Sequence, residues 1–380
     1  MDKNAIIKIP TLRSGYFIFS RTYNHSEIDR LIYCARLVYE TVIAIPVLPD
    51  WSTRFEEEII RRSIFGTAAL EGNPLKEDDI NKIISEEQIS AKMSKGEQEI
   101  RNLKDVYKLI SEQKPSSDPI DITEEFIKKI HHVITANVIY TSNVPGNYRP
   151  HEVKVGDIEH GRIYTPPKCL PDIENLMTKF IEWINSEPVK KLDPIIRGAL
   201  AHYHLGLMHP FGDGNGRVAR IVEAFILRLS NVKHVPTMLS NYYYRKTDDY
   251  YWAFSLARKN KENDVTPFLK FVLEGAIDSL NEIKSGVIHH LQLLLMRDYA
   301  AYLKEKKLVS QRQYDLIFML LSNKRPISLQ DLHRLSPFTA LYRNVSERTA
   351  RRDLQKLVDK KIGILKNVDD QFHLNYERFK

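Results

Sequence analysis

The chain has 380 residues, of which 43% are hydrophobic and 28% are charged. This composition excludes an intrinsically disordered or fibrous protein. The length exceeds what a single hydrophobic core usually accommodates, so we expect more than one folding unit. The formal net charge of +7 favours an anionic partner, either a nucleotide or a nucleic acid, although the same excess can serve solubility alone.

No sequence segment predicts export or membrane insertion. Met1 to Pro10 is short and of mixed polarity, and no later apolar run approaches the length of a membrane span. Cys34 and Cys169 are the only cysteines, too few for a disulfide framework and without the paired spacing of a metal site. We therefore expect a cytoplasmic protein with reduced thiols and no membrane partner.

Helical periodicity dominates the first third of the chain. Apolar residues recur at three- and four-residue spacing over Ser26 to Ile43 and over Phe55 to Leu70, which predicts helices within an N-terminal helical region over 1–110. A further helical pattern, Ile122 to Ile139, ends before a cluster of turn-forming residues.

An isolated β-hairpin is predicted next. Val153 to Gly156 alternates in polarity, a polar turn follows, and Arg162 to Pro167 completes the pattern. The helices predicted after it are Asp172 to Asn185, Pro194 to Met208, Asn215 to Arg228, Asp248 to Arg258 and Val265 to Arg297. Asp193 as N-cap and Pro194 in the first turn mark the start of the second of these helices.

The pattern changes after the lysine-rich stretch Lys304 to Lys307, which we take as a linker. The elements predicted beyond it are short helices over Gln311 to Leu321 and Leu329 to Leu335, a basic helix over Ser346 to Lys360, and two strands within Ile362 to Leu374. This order is typical of a winged helix. The sequence thus predicts a mainly α protein with a C-terminal α+β winged-helix domain over 308–380.

The most informative segment runs from His209 to Arg220, reads HPFGDGNGRVAR, and joins two predicted helices. Its three glycines allow a tight turn and a close approach of the backbone to a ligand. Because the second helix opens inside the turn, its unpaired N–H groups and the positive end of its dipole face the loop. Such a turn is a natural phosphate site.

The polar side chains of this segment suit a nucleotide. Arg217 and Arg220, three residues apart, lie on one side of the second helix, where both can reach outer phosphates. Asp213 is the carboxylate expected to hold a magnesium ion, which is usually bound by one or two carboxylates and phosphate oxygens. His209 is the candidate general base, because an ordinary histidine pKa of about 6.5 suits proton transfer near neutral pH.

Three other interpretations are open at this point. Gly214 to Ala219 fits a dinucleotide-binding pattern, but that pattern follows a strand and the sequence here predicts a helix. His202, His204 and His209 are candidates for a metal site with Asp213, although residues two apart on a helix point in different directions. Packing or hydrogen bonding is the other role for the first two histidines. The third interpretation is a helix-loop-helix turn without chemistry.

The loop matches the motif His-x-Phe-x-Asp/Glu-Gly-Asn-Gly-Arg-x-x-Arg at every fixed position, and on this basis the chain resembles the Fic family over roughly Phe65 to Ala276. The resemblance implies a helical catalytic core, here over 111–300. It also implies transfer of AMP from ATP to a serine, threonine or tyrosine hydroxyl of a target protein, with release of pyrophosphate.

The resemblance implies a role for each motif residue. His209 would deprotonate the attacking hydroxyl, Asp213 would hold magnesium and Arg217 would grip the outer phosphates, with Phe211 anchoring the loop. The hairpin Val153 to Pro166 resembles the family's flap, whose edge pairs with the target as an added strand. The ATP contacts implied in this way are Gly212, Asp213, Gly214, Asn215, Gly216, Arg217, Arg220, Tyr250, Tyr251, Val153, Lys154, Val155 and Gly156.

A second match lies upstream, where Thr67 to Asn73 resembles the family's inhibitory motif. The resemblance implies that Glu71 pairs with Arg220 and keeps the γ-phosphate of ATP out of the productive position; by itself, Glu71 followed by Gly72 is a helix C-terminal cap. Gly216 stands where phosphorylating relatives carry lysine, which favours AMP transfer. Removal of AMP, which such a glutamate supports in some relatives, stays open.

The basic helix of the tail presents Arg348, Arg351, Arg352 and Lys356, which can meet phosphates or base edges in a DNA groove. The alternative is a solvated charged face used for protein contacts, including a homodimer. Two functions therefore compete: an adenylyltransferase with an accessory winged helix, and a DNA-binding regulator whose core only senses a nucleotide.

Overall fold

The computed structural model describes residues 5–85, 93–116, 119–139, 142–161, 163–232, 235–323 and 325–379. Arg162 and the first four residues, which the sequence analysis used, lie outside the described residues. The chain divides into two compact units, Met1–Ile283 and Lys284–Lys380, each with its own buried apolar core. None of the described helices combines the length and apolarity that crossing a bilayer requires.

The first unit begins with a β-hairpin that the sequence analysis missed. Strand β1, Ile6–Pro10, pairs antiparallel with β2, Tyr16–Ser20, and the register places Ile6 opposite Ser20. Gly15 turns the chain with a φ of 73°, in the left-handed region that glycine enters without a steric penalty. The hairpin buries Phe19 completely.

Helices form most of the rest of the first unit, and the mainly α prediction is confirmed. Their bounds are α1 His25–Ile43, α2 Pro49–Leu70, α3 Glu77–Ser85, α4 Lys95–Ser111, α5 Glu124–Thr135, α6 Leu170–Ile184, α7 Glu187–Lys190, α8 Pro194–Met208, α9 Asn215–Leu229, α10 Val235–Arg245, α11 Thr247–Lys259 and α12 Thr266–Glu305. The sequence analysis left out α3, α4, α7 and α10. The boundary between the units falls inside α12.

Helices α8 and α9 pack in the centre of this unit and carry the glycine-rich loop between them. The side chain of Asp193 accepts a hydrogen bond from the N–H of Ile195 at 2.9 Å and so caps α8 as predicted. Ala199 and Leu200 are fully buried, and almost the whole length of α8 is enclosed. A helix enclosed on all sides holds its C-terminal end, and therefore the loop, in a fixed place.

The predicted hairpin over Val153 to Pro166 is much shorter than expected. Its described residues contain one antiparallel bridge, between Val155 and Tyr164, whose two backbone hydrogen bonds measure 3.0 and 2.9 Å. The remaining described residues of this segment form a loop instead of strands. We refer to residues 152–166 as the flap.

The second unit contains the elements predicted for the tail. After α12 come α13 Gln311–Asn323, α14 Asp331–Arg334, α15 Thr339–Tyr342, α16 Glu347–Val358, β3 Leu365–Val368 and β4 Gln371–Leu374. Ile327 adds a bridge to Phe372 of β4. Lys304 to Lys307, taken from the sequence as a linker, instead ends α12, because that helix continues as far as Glu305.

Gly66 generates a prediction for stability. A Cβ at this position of α2 would lie 2.7 Å from the carbonyl oxygen of Ser240 and 2.8 Å from Cα of Asn241, both backbone atoms of α10. We expect Gly66→Ala to lower the free energy of unfolding of the first unit by about 1–3 kcal/mol, because the two helices must move apart. Urea unfolding followed by tryptophan fluorescence measures this, since all three tryptophans lie within 1–283.

The matched control is Gly198→Ala in α8, where the new Cβ would meet Glu223 at 3.4 Å, an ordinary contact distance. Alanine favours a helix over glycine by about 1 kcal/mol, so this variant should be as stable as the wild type or slightly more stable. Equal unfolding midpoints for the two variants would show that α2 does not depend on close approach to α10.

Candidate active site

The loop between α8 and α9 has the geometry of an anion site. His209 ends α8 in the left-handed conformation, with φ 48° and ψ 56°, and Gly214 precedes α9 with φ 76°. The N–H groups at the start of α9 therefore open onto the loop, where they favour a negatively charged ligand. The segment before the loop is a helix, so the dinucleotide interpretation, which requires a strand, is wrong.

Side-chain hydrogen bonds fix the shape of the loop. Asn215 accepts from the N–H of Phe211 at 2.8 Å and donates to the carbonyl of the same residue at 2.9 Å. Phe211 is fully buried, in agreement with its predicted anchoring role. The side chain of Asn215 thus braces the loop through one accepted and one donated hydrogen bond.

His131 stabilises the loop through contacts with two of its residues, a role that the sequence analysis did not find. Its ring stacks on Phe211 with centroids 3.8 Å apart. Nδ1 accepts from the N–H of Gly146 at 2.9 Å, so the proton lies on Nε2, which is 3.1 Å from the carbonyl oxygen of Asp213. Burial lowers the pKa of His131 to about 4, and the neutral ring can make both hydrogen bonds.

His209 is held in the tautomer that a general base needs. Its Nδ1 lies 3.3 Å from the carbonyl oxygen of Gly206, which can only accept, so Nδ1 carries the proton and Nε2 carries the lone pair. Burial lowers the pKa of His209 to about 4. The imidazole is therefore neutral near pH 7 and can take up a proton.

A cavity of about 390 Å³ lies beside this imidazole. Its wall includes predicted ATP contacts from three parts of the chain, namely Val155, Gly156, Gly216, Arg220, Tyr250 and Tyr251. Gly212, Asp213, Gly214, Asn215, Arg217, Val153 and Lys154, which were also predicted to contact ATP, do not line it. The structure thus brings together the flap, the start of α9 and α11, while the other loop residues lie outside this wall.

The carboxylate of Glu71 forms an ion pair with Arg220, the arginine that lines the cavity. Oε1 of Glu71 lies 2.6 Å from Nη2 of Arg220, and Nε of the same guanidinium donates to the hydroxyl of Thr67 at 2.6 Å. Burial alone would raise the pKa of the Glu71 carboxyl, but Arg220 and Arg217 hold it below its ordinary value. The pairing implied by the resemblance is therefore present. Gly72, with φ 78°, also supplies the helix cap.

The second arginine of the motif is also engaged by carboxylates. Nη2 of Arg217 lies 2.9 Å from Oδ1 of Asp213, and Nη1 lies 3.6 Å from Oε1 of Glu99 on α4. Glu99 also accepts from the side chain of Asn73 at 2.9 Å, which connects the segment Thr67 to Asn73 to this pair. In this state both arginines predicted to bind phosphate, Arg217 and Arg220, are therefore paired with carboxylates.

The other two histidines of α8 have the hydrogen-bonding role that the sequence left open for them. His202 lies 3.0 Å from Oε2 of Glu223 and 2.9 Å from the hydroxyl of Tyr250, and His204 lies 3.0 Å from the carbonyl of Ser20. Within the described residues, no group of three or more His, Cys, Asp or Glu side chains is placed to hold a metal ion. The all-protein metal-site interpretation therefore has no support in that part of the chain.

A magnesium site with a single protein carboxylate remains consistent with the donor set. The side chain of Asp213 is 39% exposed, and Oδ1 also accepts from the N–H of Gly214. One carboxylate next to an anion-binding loop suits magnesium, which retains several waters and takes further oxygen ligands from bound phosphates.

Several residues at the site were not found from the sequence. Their common feature is distance along the chain from the motif, and they are His131, Arg149, Asp157, His160, Tyr164, Phe254 and Arg258. Arg149 lies in the cluster that follows Ile139, which the sequence analysis interpreted only as turn-forming. No local spacing signals that these side chains converge, because tertiary packing alone brings them together.

The fold and the site together define a helical protein in which a neutral histidine leads into a loop with the geometry of an anion site. Residues 121–227 match the model of the Fic/DOC family. The chain therefore contains a Fic/DOC family domain, as the sequence resemblance implied.

The curated relatives match part of the chain. It is 33% identical over 155 residues to a protein from Drosophila melanogaster named "Protein adenylyltransferase Fic", an alignment that covers 41% of this chain and 28% of that protein. The protein of the same name from Drosophila ananassae is 27% identical over 246 residues, which is 64% of this chain and 46% of the relative. The chain thus spans less than half the length of these relatives.

Solved structures share the fold. A Fic family protein from Desulfovibrio desulfuricans has a TM-score of 0.55 at 19% identity and covers 92% of this chain and 96% of its own. Fic-1 from C. elegans has a TM-score of 0.55 at 20% identity, covering 69% of this chain and 73% of that chain.

The buried state of His131 generates a prediction for the pH dependence of stability. Its pKa is about 4 in the folded protein and about 6.5 in the unfolded chain, so the unfolded state binds more protons between these values. The contribution to stability is complete above pH 6.5 and is lost as the pH falls towards 4. In His131→Phe, which keeps the ring stack, the loss over this interval should be smaller by up to about 3 kcal/mol.

Urea unfolding followed by tryptophan fluorescence at several pH values measures this difference. The other buried histidines titrate in both proteins, so only the difference in slope reports His131. Parallel curves for the wild type and His131→Phe would contradict a neutral ring at this position.

Proposed function

We propose that this site transfers AMP from ATP to a hydroxyl group of a target protein and that Glu71 inhibits the transfer. The observation that carries the proposal is the cavity in which a neutral His209, the start of α9 and Arg220 face the same space. The names of the curated relatives support the same reaction class.

In this reaction one bond forms and one bond breaks at the α-phosphate. The hydroxyl oxygen attacks the α-phosphorus, the bond from that phosphorus to the bridging oxygen breaks, and pyrophosphate leaves. The proton of the hydroxyl goes to Nε2 of His209, the ring nitrogen with the lone pair. The N–H groups at the start of α9 stabilise the charge that develops on the phosphate oxygens, where preorganised donors act most strongly.

Magnesium, when bound, would neutralise charge on the departing pyrophosphate, and Asp213 is the residue that would hold it. Arg217 would then exchange its carboxylate partners for phosphate oxygens. The exposed edge of the flap at Gly156 would receive the target segment as an added strand. Tyr250 and Tyr251 would line the nucleoside part of the cavity.

Inhibition follows from competition for one guanidinium. Arg220 is 3% exposed, and its Nε and Nη2 are occupied by Thr67 and Glu71. A γ-phosphate needs the same donors, so ATP must either displace the carboxylate or bind in an unproductive pose. Removing the carboxylate would free these donors for the phosphate.

The corresponding experiment compares variants with α-labelled ATP and magnesium. We expect Glu71→Gly to increase label transfer to the protein itself or to lysate proteins by at least about tenfold, the value of one charge-assisted hydrogen bond. Adding His209→Ala should abolish the gain, since general base catalysis contributes about 10²–10⁴-fold. ATP labelled at the γ-phosphate should give no label in either protein.

Glu57→Gly is the matched control, because it places a glycine on the exposed side of α2, the helix that ends directly before Glu71. It should leave labelling unchanged. Equal labelling of the wild type and Glu71→Gly would remove the inhibitory role, and label from the γ-phosphate would assign phosphorylation in place of AMP transfer.

A second candidate function, binding of nucleic acid, has support from the charge on α16. Arg348, Arg351, Arg352 and Lys356 are all exposed, while the opposite face of the helix packs into the core of the second unit. Arg352 and Lys356 also line an open groove with Lys307 and Lys361. Four exposed cations along one helix suit a phosphate backbone.

Duplex DNA titrations at several salt concentrations test this function. If α16 contacts DNA, the charge reversal Arg352→Glu should weaken binding and reduce the salt slope by about 1 or more. Arg61→Glu, on the first unit, is the control and should leave binding unchanged. Binding that is absent at low salt, or equally affected by both variants, would exclude α16 as a DNA contact.

A further inference from the structure

Arg149 lies in the segment between α5 and the flap, and its side chain is among the largest that the fold encloses completely, with 1% of the residue exposed. A buried guanidinium is costly unless all its donors are satisfied. The side-chain hydrogen bonds of Arg149 all end on backbone carbonyl oxygens. The positions of these carbonyl groups therefore indicate the structural role of the Arg149 guanidinium.

One set of contacts reaches the end of α8. Nε donates to the carbonyl of His209 at 2.7 Å, and the backbone N–H of Arg149 donates to the carbonyl of Pro210 at 3.0 Å. The last carbonyls of a helix have no partner within the helix, and a cation there also meets the negative end of the helix dipole. These contacts hold His209 in its left-handed conformation, which a residue with a Cβ adopts only at a cost of about 1–2 kcal/mol.

The other set of contacts reaches the two ends of the flap. Nη1 donates to the carbonyl of His151 at 2.6 Å, directly before the flap, and Nη2 donates to the carbonyl of Pro167 at 2.7 Å, directly after it. One planar group therefore joins three backbone points that are far apart in the chain. Lysine could not reproduce this, because its ammonium lacks the rigid fork of a guanidinium.

We propose that Arg149 is a positioning residue, whose guanidinium fixes the backbone of His209 relative to both ends of the flap so that the imidazole and the target-binding edge meet at the cavity. The inference rests on the proposed function for the identity of His209 as the base. The positive charge also lies close enough to contribute, after burial, to the lowered pKa of His209. An apolar side chain of the same length would fill the space without joining these three points.

Arg197 provides a matched control within the same unit. It is also buried, at 3% exposure, and it donates to the carbonyls of Ile184 and Ile120 at 3.3 and 3.1 Å and to the side chain of Asn185 at 3.2 Å. Burial lowers the pKa of both arginines. Arg197 lies 12 residues before His209 in the chain, which corresponds to about 18 Å along a helix.

The test uses the full chain with Arg149→Met, Arg149→Lys, Arg197→Met and Arg197→Lys. Histidine labelled with ¹³C reports the conformation of His209 through its Cα chemical shift, and His209→Asn assigns that signal among the 13 histidines. Hydrogen exchange measured by mass spectrometry reports the flap. Turnover and the KM for ATP are measured for all four substitutions in the Glu71→Gly background.

We expect Arg149→Met to move the His209 signal, to speed exchange across the flap, and to lower kcat by roughly 100-fold, the effect of a displacement of about 1 Å in a reacting group. The KM for ATP should change by less than about threefold, because the start of α9 binds the phosphates. Arg149→Lys should recover part of the kcat. Neither Arg197 variant should change the His209 signal or flap exchange.

Two outcomes would overturn the inference: an unchanged His209 signal and flap exchange in both Arg149 variants, or equal changes in the Arg197 variants. If Arg149→Met does not fold, the two lysine variants supply the same comparison. The spectroscopic and exchange measurements need no turnover. A protein that transfers no AMP but shows these shifts would therefore reject the proposed function and keep the positioning role.

Discussion

The site depends on the pairing of buried guanidinium groups. Arg217 and Arg220 are each 3% exposed, and a charge taken out of water must meet an opposite charge or a full set of hydrogen bonds. In this state, carboxylates from the C-terminal cap of α2, from α4 and from the loop fill that requirement. Burial makes an unpaired arginine energetically unfavourable. For the same reason, an arginine that loses its carboxylate would bind a phosphate strongly. In the proposed function, a carboxylate and a nucleotide phosphate would therefore be alternative partners for the same buried charges.

The parts of the fold that the sequence predicted well are those with strong local signals. The bounds of α8 were predicted as Pro194 to Met208 and observed as such, because Asp193 and Pro194 start the helix and the glycine-rich turn ends it. The pairing of Glu71 with Arg220 followed from a motif resemblance, and the contact is present. The alternative roles of His202 and His204 were resolved by their buried partners, which no spacing rule identifies.

The parts that were missed depend on tertiary contacts. The hairpin of β1 and β2 is stabilised by burial of Phe19, and its short strands contain Pro10 and Tyr16 at their ends, a weak pattern by itself. The flap was predicted as a full hairpin because polarity alternates over Val153 to Gly156, yet its ends are held by a side chain outside it. Alternation predicts strand geometry, but it does not supply the cross-strand pairs that extend a ladder.

His131 and Arg149 illustrate why a motif alone does not specify a site. The motif residues provide the chemistry, but the carbonyl oxygens of His209 and Asp213 need donors, and these come from positions 60 and 82 residues away. In both cases a side chain that can carry a positive charge in water is enclosed and donates N–H groups to backbone carbonyls. These hydrogen bonds hold the loop in place without a ligand, so in the proposed function binding energy would not be used to order it. In the proposed function, the change on nucleotide binding would then be confined to the carboxylate partners of Arg217 and Arg220.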